Sequence, residues 1–266
     1  MRLFNAPSVS LASISLASIS LASLVLLGSS ACTHVQWTSS GTIVGFEEKA
    51  TRVDEQPLDF KPGDSLELDA TAGSINVQAS ASSKPRVRAR ITAFGHDVAE
   101  AQRNLEKCQL KIERVSSGVR VRVECESMES RSANVTVRMM PEVRIDATIP
   151  EGTPVSADTS SGNVSLHGPL GPCAVDTNYG EVDIADVDGN VRAATRSGSM
   201  SVSRVRAAKE IDLRSGYGSL RVSEAEAERA RFETTSGDVS IRDVKSQRPA
   251  PALPTGASRS SGSRGP

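Results

Sequence analysis

Eight residues recur with little change five times in the second half of this chain. They read TSSGNVSL (159–166), TNYGEVDI (177–184), TRSGSMSV (195–202), RSGYGSLRV (214–222, whose last eight residues align) and TTSGDVSI (234–241). The last glycine of each, Gly162, Gly180, Gly198, Gly218 and Gly237, follows the one before by 18, 18, 20 and 19 residues. A fixed period near 19 means stacked coils, because a unit this short cannot bury an apolar face alone.

Two residues after each glycine stand Val164, Val182, Met200, Leu220 and Val239, and four after stand Leu166, Ile184, Val202, Val222 and Ile241. Five before stand Ala157, Val175, Ala193, Leu213 and Phe232, and seven before stand Val155, Cys173, Val191, Ile211 and Ala230. Same-face residues two apart on a strand point to one side, so each coil holds two short alternating strands contributing four apolar columns. The glycine turns one strand into the next, and Thr159, Thr177, Thr195, Ser215 and Thr234, three residues earlier, offer hydroxyls to the corner backbone. Stacked about 4.8 Å apart, such strands hydrogen-bond to their neighbours and merge the columns into one core. Only 3% of the 266 residues are aromatic, which suits a core of Val, Ile, Leu and Ala. The expected fold is predominantly all-β: a β-solenoid with coils of about 19 residues and one helix inserted in its N-terminal part.

The coil register appears once upstream, where Leu66, Leu68, Gly73, Ile75 and Val77 fill the equivalent places of SLELDATAGSINV. Residues 58–150 therefore read as an irregular first part of the same β structure, with a helix over about 97–108, rather than as a separate globular domain. Asp97 is the predicted N-cap, with Glu100 completing a capping box. Residues 151–245 form the repeat. Residues 246–266 are Pro, Ser, Gly and Arg without periodic apolar positions, and read as a disordered tail.

The first 31 residues read as a signal peptide: Arg2, then a nearly uncharged Ser-Leu-Ala-Ser-Ile repeat ending in LVLL. SSAC resembles a bacterial lipobox, which implies acylation of Cys32, although Ser29 stands where that pattern prefers Leu. Cleavage by signal peptidase I after Ala31 and an uncleaved anchor over Val9–Leu27 are the alternatives; all three place the remainder outside the cytoplasm. Residues 32–57 read as a polar linker from the lipid-attachment cysteine to the fold. Export permits disulfides. An antiparallel register pairing Ile112 with Val121 sets Cys108 opposite Cys125, whereas a shift of two residues keeps the apolar face and leaves two reduced thiols.

The repeats and their entry, IPEGTPVSADTSSGNVSL (149–166), resemble the bacterial putative-adhesin family of unknown function, over roughly residues 58–244. The resemblance implies a β-solenoid-like fold and an envelope location; the family name implies adhesion, and no catalytic motif carries over.

Candidate chemistry is sparse. His34, His96 and His167 are dispersed and not at ligand spacing, and Cys173 falls in an apolar column. Asp183, Asp186, Asp188 and Asn190 offer oxygens at short spacing, but the bidentate glutamate of an EF-hand and the GGxGxD of calcium rolls are missing, so the segment reads as a turn rather than a calcium site. The outward column three residues after each glycine, Ser165, Asp183, Ser201, Arg221 and Ser240, contains no carboxylate pair. No metal, cofactor or catalytic residue is expected. Tyr179 and Tyr217, each one residue before a corner glycine, are the candidate surface contacts: two rings that stack on one edge or form an aromatic ligand platform, the alternative being packing or simple solvent shielding of the corner.

A formal net charge of -1 gives no global field toward nucleic acid or an anionic membrane, so no nucleic-acid partner is expected. The sequence points to a non-enzymatic, lipid-anchored envelope scaffold, at the outer membrane or facing the periplasm. Its partners would be the membrane, through the anchor, and an envelope protein or glycan. The alternatives are a carbohydrate-active β-helix enzyme and an envelope-stress accessory protein.

Overall fold

In the computed structural model the described residues are 48–126, 128–132, 135–206 and 209–246. The expected signal peptide, Cys32 and nearly all of the expected tail lie outside them. The N-terminal elements are β1 (Glu48–Pro57), β2 (Ser65–Ala70), β3 (Gly73–Ala79), β4 (Arg86–Gly95), α1 (Val98–Glu106), β5 (Cys108–Val115) and β6 (Gly118–Cys125). After them come β7 (Met128–Ser132), β8 (Val135–Met139) and β9 (Glu142–Ile149). Five strand pairs make the repeat: β10 (Val155–Ser161) with β11 (Val164–His167), β12 (Cys173–Tyr179) with β13 (Val182–Asp188), β14 (Val191–Ser197) with β15 (Met200–Arg206), β16 (Glu210–Tyr217) with β17 (Leu220–Ala227), and β18 (Arg229–Ser236) with β19 (Val239–Ser246).

The chain is a β-solenoid of two facing sheets. One runs β1-β4-β9-β3-β11-β13-β15-β17-β19 and the other β18-β16-β14-β12-β10-β2-β6-β5; β7 and β8 form a separate hairpin. Within the repeat every neighbour is parallel and every step is one coil: Val164 pairs with Val182, Val182 with Met200, and Met200 with Leu220. Members of all four expected columns are buried, with Ile241 in the last coil partly so.

The upstream copy is a coil in full. Leu66 and Leu68 pair with Val155 and Ala157, and Ile75 and Val77 with Val164 and Leu166, so β2 and β3 precede β10 and β11 in the stack. A further layer lies beyond them, where β6 runs parallel to β2 and β9 parallel to β3. That layer is later in sequence than the coil it covers, which is why this region looks irregular as a string of residues.

Antiparallel strands close the end of the stack. β5 pairs with β6, and β4 pairs with both β9 and β1, while α1 buries Ala101, Asn104 and Leu105. The polar linker expected over 32–57 is corrected at its C-terminal end, since Glu48–Pro57 is the strand β1. Its partly buried face is Ala50, Arg52 and Asp54, with Arg52 bonded to Asp54 and donating to the Cys108 carbonyl at 2.6 Å. A strand with charges on its half-buried face has no apolar alternation to read. Cys108 and Cys125 stand opposite each other, Ile112 opposite Val121, and the two cysteines form a disulfide. Closing a loop of 17 residues contributes about 3 kcal/mol by the chain-entropy estimate. At α1, Asp97 caps the Glu100 amide at 2.6 Å, but the Glu100 carboxylate accepts from the His96 amide at 2.7 Å instead of from Asp97 itself.

A fifth apolar column runs through Val187, Val205, Ala225 and Val244, with Leu170 bridging to Val187. These residues lie seven after the corner glycine, an odd step from the column at four. The residue just before each carries the change of face: Asp186, Arg204, Glu224 and Asp243 have φ of 62°, 51°, 51° and 49°. One left-handed residue inserted into each strand moves the next side chain inward, as in a β-bulge.

Candidate functional site

The corner glycines set the pitch on which every surface feature is placed. Gly180 has φ 143°, and a β-carbon there would lie 2.1 Å from the Gly162 carbonyl oxygen. Gly162, Gly198, Gly218 and Gly237 repeat that contact with the corner below. Thr159, Ser215 and Thr234 donate their hydroxyls to the carbonyls of Gly73, Gly198 and Gly218 at 3.1 to 3.2 Å, while Thr177 donates to Tyr179. The Thr195 hydroxyl is buried without a hydrogen-bond partner.

On this corner Tyr179 and Tyr217 occupy one column with Ser197 between them. They are two rungs, about 9.6 Å, apart at β-stack spacing, beyond the 4.5–7 Å at which rings stack on one another. Their side chains are 56% and 62% exposed. Each backbone carbonyl accepts from a glycine amide of the coil below, Tyr179 from Gly162 and Tyr217 from Gly198, both at 2.8 Å. Ser161 and Ser236 extend the column on either side.

The β10/β12 face of the second sheet holds a trough of about 760 Å³. Its floor is low because Ser156 and Ala174 occupy an outward column that carries Glu67 and Arg120 on one side and Arg192 and Asp212 on the other. The adjacent outward column runs Arg122, Asp69, Asp158, Asp176, Ala194, Arg214. At the ends of these columns the charges are matched: Arg120 to Glu67, Arg122 to Glu124, and Arg214 to Asp212. Asp158 is different, since its neighbours along the stack are Asp69 and Asp176. Partial desolvation, followed by the two like charges, raises its carboxyl above the ordinary range. This row, four residues before each glycine, was readable by the same counting that produced the outward column of Ser165 and Asp183.

A carboxyl with a higher folded than unfolded pKa takes up a proton on folding between the two values, so the penalty is complete above the folded value and vanishes below the unfolded one. Asp158→Asn is expected to raise the melting temperature at neutral pH by the equivalent of a few tenths of a kcal/mol, as for relief of like charges on facing strands. The gain should disappear below about pH 3.8, the ordinary value for this carboxyl. Melts of both proteins across pH check it; a gain that persists unchanged in acid would mean the aspartate row is not the cause.

The remaining candidates are dispersed. Asp183 meets the His167 ring at 3.0 Å, Asp186 takes both arms of Arg204 at 2.6 and 2.9 Å, and Asn190 accepts from the amides of Lys209 and Glu210. Asp188 lies beside Arg206 in the column that continues through Glu226 to Lys245. The oxygens expected at a turn therefore face separate groups, and the column of Asp188, Arg206, Glu226 and Lys245 alternates in charge. Cys173 is a free thiol buried in the core; burial pushes it up to about 12, and its Sγ donates to the Gly171 carbonyl. His96 lies at the entry to α1, whereas Cys32 and His34 lie outside the described residues. Among the described residues no helix is long and apolar enough to cross a membrane, and no group of three or more His, Cys, Asp or Glu converges as metal ligands would.

Comparison with solved structures finds a putative cell adhesion protein from Clostridium sporogenes, 12% identical over 79% of this chain and 98% of that one, with a TM-score of 0.38. A putative adhesin from Parabacteroides distasonis is 8% identical over 79% and 97%, at 0.31. A putative lipid binding protein from the same organism is 10% identical over 81% and 98%, at 0.30. What those names describe belongs to those proteins. No curated protein matches. The family model described as Toastrack DUF4097 matches residues 63–257, which takes in the β2/β3 coil and all five repeats. The chain is a member of the Toastrack DUF4097 family.

Proposed function

We propose that this protein is a non-enzymatic contact scaffold of the bacterial envelope, exported and held to a membrane by acylation of Cys32. The observation that carries the reading is the in-register stack, which fixes two exposed tyrosines and an unmatched aspartate row on a rigid surface. Rigid presentation lowers the ordering cost of binding. A groove shared by tyrosines and carboxylates would favour a carbohydrate-active enzyme. The trough instead extends toward the opposite corner, through Pro154, Pro172 and Asn190, and neither tyrosine lines it.

Cys32→Ala is expected to abolish palmitate labelling and leave unprocessed precursor; a wild type that takes up no label contradicts the anchor. The contact surface is tested by pulling the full chain from solubilised envelopes beside Val182→Asp, which disrupts the stack. Envelope material retained by wild type and lost with the variant supports the reading, and identical material with both contradicts it.

A further inference from the structure

We propose that the Tyr179–Tyr217 edge binds a linear β-1,4-linked glycan lying along the solenoid axis. The inference rests on the contact-scaffold reading and names the ligand class and the residues. Among the described residues the exposed aromatic side chains are these two, on one column with Ser197 between. Their spacing of about 9.6 Å follows from two rungs of a β stack. In an extended β-1,4-linked chain successive sugars are turned by half a turn, so the same ring face returns at every second sugar. The length of that disaccharide unit is close to two rungs. One sugar then lies on Tyr179, the next spans Ser197, and the third lies on Tyr217. A helical α-1,4-linked chain does not return the same face along a straight line and does not match the column.

The surroundings have the chemistry of sugar recognition. The C–H face of a pyranose is an apolar patch that suits the electron-rich face of a ring, and the polar groups around the two rings suit its hydroxyls. Ser161, Ser197 and Ser236 complete the tyrosine column. The next outward positions, after the glycines, are Asn163, Glu181, Ser199, Ser219 and Asp238. The backbone carbonyls of both tyrosines are pinned by the glycine amides, so the main-chain positions that carry the two rings are held two rungs apart without a ligand. At Gly216, in register with Arg196 and beside Tyr217, a β-carbon would lie 2.5 Å from the Arg196 carbonyl oxygen, so the backbone next to the ring packs closely on the coil below.

The test is calorimetric titration of the purified full chain with the hexamer of β-1,4-linked N-acetylglucosamine, its disaccharide, and an α-1,4-linked glucose hexamer. The β-linked hexamer is expected to bind at least about tenfold more tightly than either of the others, a difference of about 1.4 kcal/mol. Tyr179→Ala and Tyr217→Ala should each weaken the hexamer to near the disaccharide level while leaving the melting temperature unchanged, because both side chains are exposed. Ser197→Tyr, which fills the gap between the rings, is expected to weaken the hexamer as well. Absence of hexamer binding, equal binding of the α-linked hexamer, or wild-type affinity in both alanine variants would overturn the proposal. If the hexamer fails while envelope material still distinguishes wild type from Val182→Asp, the glycan assignment falls and the contact scaffold stands.

Discussion

Val182→Asp is expected to unfold the repeat under conditions where wild type is folded. Val182 is 1% exposed in an interior coil, between Val164 on one rung and Met200 on the next. A carboxylate there has no cationic partner in its column, and taking an unpaired charge or a protonated carboxyl out of water costs several kcal/mol, a large part of the stability of an ordinary domain. Glu181, its exposed neighbour, points to solvent, and Glu181→Lys should change stability by no more than about 0.5 kcal/mol. Thermal melts of the two variants check the inside–outside register; comparable losses in both would show that it is wrong.

Gly180→Ala is expected to be nearly as damaging although it adds one methyl group. Two effects combine: φ of 143° is a conformation that residues with a β-carbon rarely adopt, and that carbon would lie 2.1 Å from the Gly162 carbonyl oxygen. The obstacle is backbone held in the adjacent coil, so it yields only if the stack shifts. A loss of about 3 kcal/mol or more follows from strain plus overpacking. Gly152→Ala separates the terms, because Gly152 has φ 72° with nothing within 4 Å of the added carbon. It should cost about 1 kcal/mol, the strain alone. Denaturant midpoints decide it; equal losses at the two positions would mean that glycine stacking is not what sets the corner.

The parts of this fold legible in the sequence are those in which one residue type serves one geometric role on every coil. Counting from Gly162, Gly180, Gly198, Gly218 and Gly237 locates four buried columns, and the same count at Gly73 finds the upstream coil. The fifth column escaped because Asp186, Arg204, Glu224 and Asp243 share a left-handed backbone and no residue type; their common feature is a conformation that none of those side chains advertises. β1 escaped for a related reason, since Arg52 and Asp54 satisfy each other on its half-buried face and leave no apolar alternation. The layer formed by β6 and β9 escaped because order along the chain is not order along the stack. On the surface, the tyrosine column follows from the corner count. The unmatched state of Asp158 emerges only when the stack sets Asp69 and Asp176 one rung either side of it, with arginine reached two rungs away at Arg122 and three rungs away at Arg214.

The stacking register is tested most directly by methyl–methyl NOEs in the methyl-labelled full chain. The structure predicts contacts from Val164 to Val182, Val182 to Met200, and Met200 to Leu220, one rung at a time along one column. A pattern that instead places Val182 and Met200 on separate surfaces, with consecutive strands of the repeat paired as antiparallel hairpins, would contradict the solenoid and every surface column built on it.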